Sequence, residues 1–117
     1  MAQAFTKALL SGSTNGKGIK VVQTATAGTL IHTAVSGTSS LDEIWLYAYN
    51  GHTAAVVLTI EWGEATVPDG NVVLTIQAKT GRTLVIDGRL LNNSLVVRAF
   101  AATTNVIIID GFVNQIV

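Results

Sequence analysis

Short apolar segments, each about as long as one β-strand, recur along this chain and alternate with turn signals. The clearest are VVLTI at 56–60, VVLTI again at 72–76 and VIII at 106–109. Their β-branched side chains suit a pleated strand better than a helix. The dipeptides that favour tight turns are Asn15-Gly16, Asn50-Gly51, Asp69-Gly70, Asp87-Gly88 and Asp110-Gly111. The pattern therefore predicts a chain of strands and turns.

Nine segments of the sequence have the composition of strands. They are 3–10, 18–25, 29–36, 41–49, 54–62, 72–79, 83–87, 95–102 and 105–116. Short strands at regular spacing are typical of sandwiches and barrels, and 117 residues are enough for one domain with a core. We predict an all-β fold: a single-domain antiparallel β-sandwich spanning 1–117, jelly-roll-like, with about eight strands. Residues 1–17 are expected to form an N-terminal arm or an edge strand.

The predicted strand at 41–49 is apolar on both of its faces. Because side chains alternate along a strand, Ile44, Leu46 and Ala48 share one face. The opposite face carries Trp45, Tyr47 and Tyr49. Aromatic side chains with a polar end are favoured at interfaces, so this second face is expected to need a cover. The cover is either the N-terminal segment of the same chain or a partner.

The C-terminal segment is also apolar on both faces. Residues 106–109 are followed by further apolar side chains, Phe112, Val113, Ile116 and Val117. A strand of this kind left at a sheet edge would promote aggregation, so it is expected to be central or paired with another subunit. Within it, Asp110-Gly111 predicts a bulge or bend.

Residues suited to catalysis or metal binding do not form a recognisable pattern. The chain has no cysteine, which excludes disulfides and thiolate sites. His32 and His52 have no ligand partner at metal-site spacing and are interpreted as structural. The neighbouring carboxylates Asp42-Glu43, and Glu61 with Glu64, are interpreted as strand-edge charges that keep the sheet soluble. We therefore predict a protein that is not an enzyme and needs no metal or cofactor.

The charged residues are few and balanced. Seven basic and seven acidic side chains give no net charge, which argues against nucleic-acid binding, because that needs a basic surface. Every apolar segment is too short to cross a membrane as a helix. Arg82, Arg89 and Arg98 are either solvated surface charges or partners for carboxylates of a neighbouring subunit.

The endings of several predicted strands resemble those of small virion proteins of tailed bacteriophages. LDEIWLYAYNG at 41–51 ends in Asn-Gly, and AVVLTIEWG at 55–63 ends in Trp-Gly. The segments 95–102 and 105–114 continue the likeness, the last ending in Gly-Phe-Val-Asn. The resemblance covers roughly residues 28–117 and consists of strand endings, without catalytic residues.

The resemblance implies a capsid decoration (cement) protein, a small β-sandwich that braces neighbouring capsomers. The implied partners are other copies of the chain, as a homotrimer, and the major capsid protein, with neither nucleic acid nor membrane. The implied location is the capsid surface of the virion, after synthesis in the host cytoplasm. The alternatives are a tail, neck or baseplate component, or a glycan-binding module that uses Trp45, Tyr47 and Trp62. The expected interaction residues are Trp45, Tyr47, Tyr49, Arg98, Phe112 and Ile116.

Overall fold

The computed structural model describes residues 4–117, and every regular element in this part of the chain is a strand. The strands are β1 (Phe5–Ala8), β2 (Ile19–Lys20), β3 (Thr29–Thr33), β4 (Leu41–Asn50), β5 (Val56–Trp62), β6 (Asn71–Ile76), β7 (Thr83–Leu91), β8 (Val96–Ala101) and β9 (Ile107–Ile116). Each one overlaps a segment that the sequence predicts, although β1 and β2 are much shorter than expected. Within residues 4–117, no helix is long and apolar enough to cross a membrane.

The strands form two antiparallel sheets. The first sheet has the order β1-β9-β4-β7, with β2 also paired to β9, and the second has the order β3-β8-β5-β6. β1 and β2 lie one after the other along the same edge of β9, so together they act as one interrupted strand. Counted in this way, the eight strands follow the order of a jelly roll. The predicted all-β sandwich of jelly-roll type is confirmed.

The core lies between the sheets and follows the alternation of side chains. On β4, Ile44, Leu46 and Ala48 are fully buried, as the sequence predicts. The alternating residues of β5 that face them across the core are also buried: Val56, Leu58, Ile60 and Trp62. Burial of these side chains is the main contribution to folding, at roughly 25 cal/mol per Å² of apolar surface.

β9 is a central strand, which explains why both of its faces tolerate apolar residues. It lies between the β1/β2 pair and β4, and Ile107, Ile109 and Val113 point into the core. Its pairing with β4 continues without a register shift from Leu41 to Asn50. The bulge predicted at Asp110-Gly111 is therefore wrong. Glycine is needed there for another reason, because a Cβ at Gly111 would collide with the backbone carbonyl of Trp45.

A second Asp-Gly dipeptide also lies inside a strand instead of ending it. The turn predicted at Asp87-Gly88 is wrong, since β7 continues to Leu91. Ile44 pairs with Arg89 and Trp45 with Asp87, which leaves Gly88 as the extra residue of a bulge. Its φ of 84° is in the left-handed region, which glycine adopts without the penalty that a Cβ brings.

The N-terminal segment forms an edge strand and then folds back onto the body of the protein. β1 pairs with the C-terminal half of β9, and Leu10 is buried in the core. The backbone N–H of Gly12 donates to the carbonyl of Ile31 at 2.9 Å. Of the predicted 3–10 strand and 1–17 arm, residues 1–3 lie outside the described residues.

Candidate interaction surface

Five of the six expected interaction residues lie on the outward side of the first sheet. β4 contributes Trp45, Tyr47 and Tyr49, and β9 contributes Phe112 and Ile116. We call this set of five side chains the aromatic face. All of them are partly or well exposed, and the strands that carry them are neighbours in the sheet. The sheet register therefore joins distant parts of the sequence, such as Trp45 and Phe112, into one surface.

The centre of the aromatic face is a stacked pair of rings. Trp45 and Phe112 are directly opposite each other on β4 and β9, with ring centroids 6.1 Å apart and planes inclined by 11°. The indole also lies against β7, where a Cβ on Gly88 would be 2.8 Å from its Cζ2 atom. The bulge glycine thus provides the space that lets the indole lie close to the strand.

A hydrogen-bonded carboxylate holds the Trp45 ring in place. The indole Nε1–H donates to Oε1 of Glu43 at 2.8 Å, and Nδ2–H of Asn114 donates to the same oxygen at 3.0 Å. The bond from Asn114, followed by that from Trp45, lowers the pKa of the Glu43 carboxyl. Glu43 is consequently an ionised acceptor at neutral pH, and the polar end of Trp45 is already occupied.

Two cations lie over rings of the aromatic face. Lys7 Nζ is 4.9 Å from the Phe112 ring centroid, and the Arg82 guanidinium carbon is 4.2 Å from that of Tyr47. Arg82 also forms a forked pair with Asp110, with N···O distances from 2.7 to 3.1 Å. That bond raises the pKa of Arg82 further, so it stays charged. Of the two alternatives for Arg82, a solvated charge or a partner for a neighbouring subunit's carboxylate, neither describes this pair, because the carboxylate belongs to its own chain.

In the part of the chain that the structure describes, the N-terminal segment covers the aromatic face only where Lys7 lies over Phe112. β1 extends the first sheet beside β9 instead of crossing over it. It adds Phe5, which is 70% exposed, to the same outward side, opposite Ile116. On the far side, Leu84 of β7 is opposite Tyr47 and is also exposed. The sequence leaves two alternatives for what covers this face, the N-terminal segment of the same chain or a partner. Apart from Lys7, the described N-terminal residues do not provide that cover.

Arg98 lies apart from the other expected residues, on the outward side of the second sheet. Its cross-strand neighbour is Glu61, and its Nη1–H donates to the Gly28 carbonyl at 3.3 Å. Arg98 and Glu61 line a cavity of about 260 Å³ that is otherwise mostly apolar. Arg98 therefore belongs to a different surface from the aromatic face.

Two of the carboxylates interpreted as soluble strand-edge charges are in fact buried. Glu61 is 2% exposed and accepts hydrogen bonds from Thr26 Oγ1 at 2.8 Å and from the Gly28 N–H at 2.7 Å. Asp42 is 1% exposed and accepts from the Val35 N–H at 3.0 Å. Burial of a carboxylate is tolerated only with such partners. That interpretation is therefore wrong for both residues.

Asp42 has a further partner that sequence spacing did not indicate. His32 Nε2 is 2.7 Å from Asp42 Oδ2, and the Ser11 backbone N–H donates to His32 Nδ1 at 3.0 Å. Because Nδ1 accepts, the ring is neutral and its Nε2–H donates to the carboxylate. The Ser11 hydroxyl oxygen accepts from the Thr33 N–H. A serine, a histidine and an aspartate thus meet here, but the ring nitrogen contacts the backbone of the serine and the set is a structural link.

Among residues 4–117 there is no group of three or more His, Asp or Glu side chains placed to hold a metal. Trp62 is buried on the inner side of the second sheet, with Arg89 over its ring at 4.8 Å. It cannot share a sugar-stacking platform with Trp45 and Tyr47, which face outward from the other sheet.

Comparisons of this chain with protein-family models, with curated proteins and with solved structures find no match. The aromatic face and the resemblance in strand endings are therefore the grounds on which a function can be proposed.

Proposed function

We propose that this chain is a structural virion protein that decorates and stabilises a phage capsid through several protein–protein contacts. The observation that carries the proposal is the aromatic face, where Trp45, Tyr47 and Phe112 form one partly exposed surface. Aromatic side chains and arginine are enriched at protein interfaces, where they account for most of the binding energy. A jelly roll by itself does not define a function, so the proposal depends on this surface and on the resemblance.

The aromatic face is ordered before any partner binds. Glu43 fixes Trp45, and Asp110 fixes Arg82, which in turn lies over Tyr47. Side chains that are already ordered lose little conformational entropy on binding, so more of the contact energy appears as affinity. This arrangement suits a protein that must add a rigid layer to a shell.

A second point of contact lies on the opposite side of the sandwich. Arg98, on the second sheet, faces away from the aromatic face and lines its own cavity. A decoration protein that touches different capsid subunits with its two sides gains effective affinity, because each contact raises the local concentration for the other. Individually weak contacts are then sufficient to stabilise the capsid, because many copies of the protein bind to it.

The test is co-sedimentation of the purified chain with capsids assembled from the major capsid protein of the same genome. Wild-type protein is expected to pellet with the capsids, and Phe112→Ala to reduce the bound fraction at least tenfold by removing a ring from the face. Val67→Ala is the control, since Val67 is an exposed apolar residue in the loop between β5 and β6, outside the strands that carry the two proposed contacts. Equal binding by the two variants would refute the role of the aromatic face.

The copy number in purified particles separates decoration from the alternatives inside the virion. A decoration protein is expected in hundreds of copies, and a tail, neck or baseplate component in about a dozen. Absence of the chain from particles, together with no binding to capsids, would rule out both. The trimer that the resemblance implies is a separate expectation: light scattering measures the mass of the free protein, and a mass of two chains would contradict the trimer.

A further inference from the structure

The sandwich has four edges, and three of them carry features that discourage pairing with another strand. The first strand is interrupted between β1 and β2. β7 has two register shifts against β4, and β3 has one between Leu30 and His32. Interruptions and bulges of this kind protect exposed edges. β6 differs, because its register with β5 runs unbroken from Asn71 to Ile76.

β6 is also chemically open to pairing. Its six residues, NVVLTI, include neither a charge nor a proline, which are the usual protection of an edge strand. Val73 is 60% exposed. The Trp62 N–H donates to the Gly70 carbonyl, so by alternation Val72 and Leu74 turn their backbone groups towards β5. The N–H and C=O groups of Val73 and Thr75 then point away from β5, outward from the open edge of the sheet. Among the described residues, no backbone group bonds to them.

We infer that β6 pairs with β6 of a second copy of this chain. The two strands run antiparallel about a two-fold axis at Leu74, and Val73 of one copy exchanges backbone hydrogen bonds with Thr75 of the other. This register makes about four backbone bonds and joins the two second sheets into one. A contact of this kind uses the same patch on both copies, so the assembly closes at two subunits, instead of the three that the resemblance implies, and does not extend into a fibre.

The side chains around β6 favour a second copy over an unrelated strand. On the inner side, Val72 and Leu74 are only partly buried against the core, and the same two residues of the second copy would cover them. Exposed Asp69 precedes β6 and exposed Lys79 follows it, so an antiparallel arrangement brings the acidic end of one copy near the basic end of the other, twice by symmetry. An uncharged centre with opposite charges at its two ends is complementary to itself.

This inference goes beyond the proposed function and uses a different part of the molecule. β6 lies at the edge of the second sheet, whereas the aromatic face is the outward side of the first. Self-association and capsid binding can therefore be measured, and can fail, separately.

A single cysteine tests the register directly, because the chain has none of its own. Leu74 faces itself across the proposed axis at a non-hydrogen-bonded position, where Cα atoms are about 4.5 Å apart, within the range of a disulfide. Leu74→Cys is expected to form a disulfide-linked dimer under mild oxidation. Val22→Cys, an exposed valine on the β3 side of the sandwich, is the control and is expected to stay unlinked. Equal linking of the two variants would overturn the inference.

If Leu74→Cys does not fold, a pair of exposed positions serves instead. Val73→Cys and Thr75→Cys chains are expected to link when mixed, in preference to linking with their own kind, because Val73 is opposite Thr75 of the second copy. Linking that ignores this preference contradicts the register.

Light scattering tests the contact without cysteine chemistry. Val73→Lys is expected to halve the measured mass relative to the wild-type dimer. The reason is that each introduced lysine lies close to the same lysine of the second copy at the paired edge. Val57→Lys is the matched control, since Val57 is an exposed valine on the same side but one strand further in. An unchanged mass for a folded Val73→Lys protein, as judged by circular dichroism, would overturn the inference.

Discussion

At the scale of single residues, the link between His32 and Asp42 joins the two sheets. His32 belongs to β3 of the second sheet and Asp42 to β4 of the first, and their side chains meet at 2.7 Å with almost no exposure to water. The aspartate also accepts from the Val35 N–H and from Gln115 Nε2, so its loss leaves three buried or part-buried donors without their acceptor. An unsatisfied buried donor costs more than the hydrogen bond contributed.

Asp42→Ala is therefore expected to lower the free energy of unfolding by about 1.5–3 kcal/mol. Chemical denaturation measures it. Asp87→Ala is the control, because Asp87 is an exposed aspartate on β7, and it is expected to change stability by about 0.5 kcal/mol or less. A similar small loss for both variants would show that the link does not stabilise the sandwich.

Gly88 provides a second prediction at this scale, with a control in the same part of the chain. Gly88→Ala places a Cβ 2.8 Å from the Trp45 ring in a left-handed conformation, and a loss of about 2–4 kcal/mol is expected. Gly81 has a similar φ of 77° but nothing within 4 Å, so Gly81→Ala is expected to cost only about 1–2 kcal/mol. Denaturation compares the two, and a shift in Trp45 fluorescence should accompany only the first. Equal losses would mean that the indole does not depend on Gly88.

The sequence predicts which side chains of a strand share a face, but not which distant residues meet. Alternation correctly places Ile44, Leu46 and Ala48 in the core, because that rule is local. The partners of Glu61 are 33 and 35 residues away, and their approach depends on the register between strands. Without that register, a buried carboxylate looks the same in the sequence as a solvated one.

At the scale of elements, β9 holds the first sheet together. It pairs with β1, β2 and β4, and its register with β4 has no shift along the whole strand. Ile109 is fully buried, while its neighbour Ile108 faces outward and is only partly covered. The two isoleucines allow the two sides of one strand to be compared directly.

Ile109→Ala is expected to cost about 2–5 kcal/mol, since it leaves a cavity in the core. Ile108→Ala is expected to cost about 1 kcal/mol. Urea denaturation of the two variants measures both values. A larger loss at Ile108 than at Ile109 would contradict the side-chain alternation in β9.

The existence of the strands could be predicted, but not their order, their exact ends or the function of every turn signal. Asp87-Gly88 and Asp110-Gly111 have the composition of turns, yet both lie inside strands. Glycine serves two needs there, a left-handed φ at Gly88 and close contact with the Trp45 carbonyl at Gly111. The dipeptide alone does not reveal whether its glycine forms a turn or meets one of these two needs, because both needs depend on the neighbouring strand.

At the scale of the whole molecule, the two sheets share one core. Each sheet carries one tryptophan: Trp45 on the outer side of the first and Trp62 on the inner side of the second. Since neither sheet can bury its apolar side alone, the sheets are expected to unfold together.

The two tryptophans report on the two sheets separately. Trp45→Phe leaves Trp62 as the probe, and Trp62→Phe leaves Trp45. In each variant, the fluorescence midpoint in denaturant is expected to coincide with that from circular dichroism. A fluorescence transition that precedes the circular dichroism transition in either variant would mean that one sheet opens before the other.

The interruption of the first strand has a consequence for amide hydrogen exchange. β1 is short and largely exposed, whereas the segment after it buries Leu10 and Ile19 in the core. Local opening follows the least buried contacts, so β1 can detach from β9 while the rest of that edge stays closed. Each such opening takes Lys7 away from Phe112 and uncovers that ring, while Trp45 stays bonded to Glu43 and Tyr47 stays beneath Arg82.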